Sequence, residues 1–266
     1  MASHFSSIGL NIIKKEDFSN YFNEAYENGE EISTELGTYI KWSIGNGVEL
    51  WGQIDKNNRA IGMNPHFTGK SKMRVRITDK IKREDDTVLD GAFYCWADPQ
   101  EGESQGAYPF VFDLPDMEIY REINTPQIVN AQITGFAHKI SVYKDDEEFS
   151  NSQEKEFKLA PEAFIPVGLF NSTEKDRNSS QAMAMFTGHV VDRCKLRNFY
   201  TDIEFIWAKV STLGGEFDIV VDPEILEGDI CVNDVVEGTF WLSGRIIGEY
   251  NKKDKKRSLL NIFRKK

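Results

Sequence analysis

The chain of 266 residues holds only three cysteines, Cys95, Cys194 and Cys231, and no two of them stand in a Cys-x-x-Cys spacing. That excludes a zinc knuckle or a thioredoxin-type motif. All three read as buried small apolar residues of a protein kept in a reducing compartment. No run of about 18 apolar residues occurs, so no membrane-spanning helix is expected. The first seven residues, Met-Ala-Ser-His-Phe-Ser-Ser, lack the basic and apolar regions of a secretion signal, and the expected location is cytoplasmic. A Gly-x-Ser-x-Gly elbow, a Walker lysine loop, Gly-x-Gly-x-x-Gly and His-Glu-x-x-His are all missing. Histidine is scarce, with four in the whole chain. The reading is therefore of a protein that binds rather than catalyses.

Basic charge is also short, and it is unevenly placed. Residues 251–266 carry eight Lys and Arg against one Asp, while the other 250 residues hold 24 basic and 42 acidic groups, a net of −18. A body so acidic repels phosphate backbones and favours a basic partner. An inhibitor or immunity-type protein is the expected class. The tail's cations Lys252, Lys253, Lys255, Lys256, Arg257 and Arg264 are its candidate partner-binding residues. Beside Leu259, Leu260, Ile262 and Phe263 they suit another protein, an anionic membrane surface or, if a barrel were to use them, nucleic acid.

What is abundant is β-like text. Thr38–Ile44 and Val48–Ile54 alternate on either side of Gly45-Asn46-Gly47, which predicts a hairpin. Further strands are expected at Arg59–Phe67, Lys72–Ile77, 88–97, 109–113 and, with a kink at Gly135, 126–143. Residues 15–28 read as a helix: Phe18, Tyr21, Phe22, Ala25 and Tyr26 fall on one face, and Gly29 marks its stop. A strand is expected over 4–13, and a polar helix anchored by Phe149 over 145–156. The acidic clusters Asp85-Asp86 and 145–148 read as solvated loops. From 182 onward the text is all strand, and its glycine corners resemble an OB-like barrel. The expected fold is α+β and predominantly antiparallel β. A sheet domain with one β-α-β-β-β unit (1–155) is followed by a connecting segment (156–181), a small β-barrel (182–250) and a basic tail (251–266).

Two resemblances attach to particular phrases. The order strand–helix–strand–strand–strand over 4–77 resembles one module of the vicinal-oxygen-chelate (glyoxalase-like) superfamily. His4 opens its first strand, Glu49 lies in Gly47-Val48-Glu49-Leu50, and His66 lies in Asn64-Pro65-His66-Phe67. The resemblance implies a metal-dependent enzyme with His4, Glu49 and His66 as ligands of a divalent metal. Without it no cofactor is expected. The phrases Gly47–Trp51, Asn64–Lys70, Asp90–Tyr94, Phe186–His189, Thr212–Asp218 and Phe240–Arg245 together resemble a family of bacterial cytoplasmic proteins, mainly of Gram-positive species. That resemblance carries no activity with it.

Overall fold

The computed structural model describes residues 3–154, 158–169 and 180–248. The tail cations named above lie outside these residues. Thirteen strands and two helices are seen among the described residues: α1 (Lys15–Asn28), β1 (Glu30–Ser33), β2 (Gly37–Gly45), β3 (Val48–Asp55), β4 (Ala60–Phe67), β5 (Met73–Ile81), β6 (Ala92–Ala97), β7 (Pro109–Asp113), β8 (Gln127–Tyr143), α2 (Asp146–Ser152), β9 (Ala163–Ile165), β10 (Met183–Arg197), β11 (Glu204–Thr212), β12 (Gly215–Val221) and β13 (Val235–Ile247). The fold is α+β with β predominating.

Strands β1 to β4 form an antiparallel meander of their own. Its hairpin turns at Gly45, Asn46 and Gly47, all with positive φ, as the Gly-Asn-Gly text requires. Helix α1 lies on this sheet. Asp17 accepts the backbone N–H groups of Ile13 (2.9 Å) and Lys14 (2.8 Å), which closes the first turn. Phe22 packs over Gly52, where a Cβ would sit 3.2 Å from its ring. Gly29 ends the helix for want of space rather than for a left-handed φ: its backbone is extended, and a Cβ there would meet Ile40 at 2.7 Å.

The other nine strands form one sheet that closes on itself twice. The ribbon at its centre is the antiparallel pair β8–β13, in register from Asn130↔Ile247 to Tyr143↔Val235. One half of the ribbon closes with β5, β6 and β7, and the other half with β10, β11 and β12. Each ring has one parallel contact, β7–β13 or β12–β8. A continuous aromatic core fills both, with Phe186 stacked on Phe240 at 4.2 Å and on Phe217 at 5.2 Å. The meander packs outside the second ring through Trp42, Leu50, Phe67, Phe136, Phe205 and Trp207.

Several expectations change. Segment 4–13 is no strand: it holds a 3-10 turn at Ser6–Ile8 that buries Ile8 and Leu10 under the meander. The rear strands do not close by themselves. They need β8, from before the boundary expected at 156–181, and the nine-stranded sheet runs across that boundary. In β8 the irregularity lies at His138, the extra residue opposite Thr239 and Phe240, and not at Gly135. Gly135 instead gives room to the Phe240 ring, 3.1 Å from where its Cβ would be. Cys95 is buried as expected, but Cys194 and Cys231 are exposed.

Candidate functional site

The seam between the meander and the double ring gathers many of the buried polar groups among the described residues. Three clusters occupy it, each built from strands far apart in sequence.

The first surrounds Glu49, which is 6% exposed. Register places His66 directly across from it on β4. The Glu49 carboxylate accepts from Trp51 Nε1 (2.9 Å) and Thr68 Oγ1 (3.1 Å), with Lys41 Nζ at 3.0 Å and Arg245 at 3.5 Å. Burial works against its charge, but the positive charges of Arg245 and Lys41 and the Trp51 N–H outweigh burial and hold its pKa below the usual range. His66 is fully buried, and burial drives its pKa down to about 3, against the pull of Glu49 and with Arg245 and Lys41 pushing the same way. Its Nδ1 lies 2.8 Å from Ser243 Oγ, and its Nε2 has no hydrogen-bond partner among the described residues. Asp116, 4% exposed, is pushed up to about 6 by burial, although Arg245 opposes the shift.

The second cluster lines a cavity of about 120 Å³ bounded by Asn64, Arg83, Asp86, Asp90, Asp113 and Trp241. Asp90 accepts from Gln53 (2.6 Å), Asn64 (2.7 Å) and the Thr87 N–H (3.0 Å). Asp113 accepts from Trp241 Nε1 (2.6 Å) and pairs with Arg83 at 2.8 Å. Burial raises the Asp113 pKa, and those two partners oppose it. Asp86, expected in a solvated loop, is drawn against Arg83, and only 11% of its side chain is exposed.

The third centres on Asp218 of β12, which is fully buried. Its oxygens accept from the backbone of Lys70 (2.9 Å) and Ser71 (2.9 Å), Ser71 Oγ (2.7 Å), Gln132 Nε2 (2.8 Å) and Trp207 Nε1 (2.8 Å). Gly69 makes this approach possible, because a Cβ there would overlap the carboxylate. One side chain thus ties the β4–β5 connection to both β8 and β11.

Of the three residues singled out as metal ligands, the structure brings Glu49 and His66 together and holds His4 elsewhere. The His4 ring stacks on Trp241 at 4.1 Å, and its Nε2 is 2.8 Å from that of His138. Ring centroids 4.9 Å apart and nearly parallel planes place the two imidazoles edge to edge, sharing one N–H···N bond. Burial and the neighbouring His138 push His4 down to about 4. Among the described residues no three His, Cys, Asp or Glu side chains gather as a metal site needs. His66 lies within β4 and is fully buried. A base with a pKa near 3 takes a proton weakly at neutral pH, so the His66–Ser243 bond works as a joint between β4 and β13.

His189 is the one histidine raised in pKa. Burial is the largest single influence and lowers it, but Asp146 at 2.8 Å and Glu162 at 3.3 Å together outweigh burial. Its charge therefore clamps α2 to β10. The clamp is complete below about pH 6.5 and is lost as pH rises through the raised folded value. Amide exchange in α2 should quicken between pH 6 and 8 by more than base catalysis explains, and His189→Gln should remove the excess.

Sequence reasoning missed Asp113, Asp116, Ser243 and Asp218 as seam residues. Asp218 alternates with apolar neighbours as a solvent-facing strand residue does. Only its place beside Gly214-Gly215 and the partner phrase Thr68-Gly69-Lys70 hinted otherwise. No family model, curated protein or solved structure matches the chain.

Proposed function

We propose that this protein binds a basic protein partner and holds it without transforming it, as an inhibitor or immunity-type protein does. One observation carries the reading. Residues 1–250 hold 42 acidic and 24 basic groups, so one-to-one pairing leaves 18 acids without a cation. Several of the cations are engaged within the body. Lys70 pairs with Asp192, Arg193 and Lys195 with Asp229, and Arg197 with Asp202. The surplus that a partner meets is negative, which speeds association with a basic surface and disfavours acidic ones.

The rings support the same reading. We read each as OB-like, from five strands with a single parallel contact, an architecture that works through its faces and loops. No helix among the described residues is long and apolar enough to cross a membrane, and we place the protein in the cytoplasm on its free cysteines. Native mass spectrometry of the protein isolated from its own cells at low salt should show a complex with a basic protein. That complex should dissociate in about 0.5 M salt. Recovery of the bare chain under both conditions would overturn the reading.

A further inference from the structure

His4 and His138 meet head to head beside the β8–β13 ribbon. Their Nε2 atoms are 2.8 Å apart, their ring planes differ by 16°, and their centroids lie 4.9 Å apart. Each imidazole nitrogen stands about 1.15 Å from its ring centre, so a fully collinear pair at this separation would have centroids about 5.1 Å apart. The observed value is close to that limit, and the two Nε2 directions therefore converge nearly on one line. Both rings are partly exposed, so the gap between them can be reached from solvent. Burial and the neighbouring His138 hold His4 down at about 4, and burial lowers His138. Both are neutral at pH 7, which is the form that binds metals.

The backbone presents this pair deliberately. His138 is the extra residue of the β8 bulge, and bulges re-aim a side chain. His4 precedes the Ser6–Ile8 turn and stacks on Trp241 at 4.1 Å. Phe136 stands edge-on to His4 at 6.4 Å and lies 4.9 Å from Trp241. Among the described residues neither ring is paired with a carboxylate. The site thus offers two neutral nitrogens in line, walled by aromatic rings.

We propose that His4 and His138 bind one monovalent copper ion, Cu(I), in linear two-coordination. A divalent ion asks for three or more donors, and no such group gathers among the described residues. A singly charged ion with a filled d shell, Cu(I) or Ag(I), is content with two donors in a line, and imidazole suits copper. Its single charge also costs far less to place against aromatic walls, because the cost of leaving water rises with the square of the charge. Metal–nitrogen bonds of about 2 Å set the two nitrogens about 4 Å apart, so the rings must part by about 1 Å. Neither residue is tied into a ladder: His4 lies outside the strands, and His138 has no partner across β13. The ring that donates the shared N–H moves its hydrogen to Nδ1, so binding releases no net proton and changes no oxidation state. The ion would lie beside the Trp241 indole.

This inference does not depend on the basic protein partner, and the test uses the full chain alone. The probes are Ag(I), which has no redox chemistry in water, and Cu(I) without oxygen. Cys194 and Cys231 are exposed and would compete, so the chain carries Cys194→Ser and Cys231→Ser. One equivalent of Ag(I) should quench tryptophan fluorescence with a Kd of about 1 μM or tighter. His4→Phe, which keeps a ring over Trp241, and His138→Gln, which keeps a hydrogen-bonding side chain, should each weaken binding about a hundredfold or more. Two further measurements leave the histidines intact and so separate binding from folding. Ag(I) should shift the Nε2 resonances of His4 and His138 while those of His66 and His189 stay in place. Copper X-ray absorption should show two nitrogen neighbours at about 2 Å. Absence of saturable binding by the cysteine-substituted chain overturns the proposal. So does silver that leaves the His4 and His138 resonances unmoved, or a copper site with three or more neighbours. Zn(II) held at this pair as tightly as Ag(I) would make it a divalent site, which also overturns the proposal.

Discussion

Lowering the pH from 7 to 4 should cost the folded state about 3 kcal/mol through His66 alone. The sign follows from its depressed pKa. The unfolded imidazole takes up a proton near pH 6.5, whereas the folded one resists until about 3. Each pH unit between those values removes about 1.4 kcal/mol, and the loss levels off only below the folded value. His4, depressed to about 4, loses stability over the upper part of the same window. Together they approach the whole stability of an ordinary domain, so acid unfolding near pH 4 is expected. Urea midpoints at successive pH values measure this directly. His66→Asn, which can keep a hydrogen bond to Ser243, should be less stable at pH 7. Its stability should also fall less steeply below pH 6.5, by about one proton. An unchanged slope would show that His66 titrates normally and is not sealed in the seam.

The second large effect belongs to Asp218. Replacing it with Ala leaves the backbone N–H groups of Lys70 and Ser71 and Trp207 Nε1 without their acceptor, while Ser71 Oγ keeps Ile133 O and Gln132 Nε2 keeps Thr134 Oγ1. Each buried unsatisfied group costs about 1–3 kcal/mol. The expected loss is at least about 3 kcal/mol, a large part of an ordinary domain's stability. Asp218→Asn should also destabilise strongly, because its amide hydrogens would face donors on one side. Gly69→Ala attacks the same contact from the other partner and should fail in the same way. The control is Arg59→Ala in the exposed Asp55–Arg59 pair, which should change stability by less than about 1 kcal/mol. If Asp218→Ala loses no more than that control, the seam is not what joins the meander to the rings.

Local structure was legible where local rules decide it. Gly45-Asn46-Gly47 announced its hairpin, and the apolar face of α1 announced its helix. The α+β class with β predominating followed from alternation. Ring closure was not legible, because it rests on pairing β8 with β13, about a hundred residues apart, and periodicity carries no information about such partners. The segment at 4–13 alternates enough to pass for a strand, yet its apolar residues are buried through a 3-10 turn. The seam was half visible. Glu49 and His66 were picked out for their chemistry, and a hairpin does bring them together. What surrounds them, from Arg245 on β13 to Asp116 after β7, comes from strands that only the closed sheet makes neighbours. Asp218 escaped notice because inward and outward positions of a strand read alike until its packing partners are known.

The central claim is that an acidic body captures a basic partner. Its most direct test is the association rate with the protein it retains from its own cells, measured as salt rises from about 20 mM to about 300 mM. Electrostatic capture predicts a fall of about tenfold or more. A rate that stays level across that range would contradict the account.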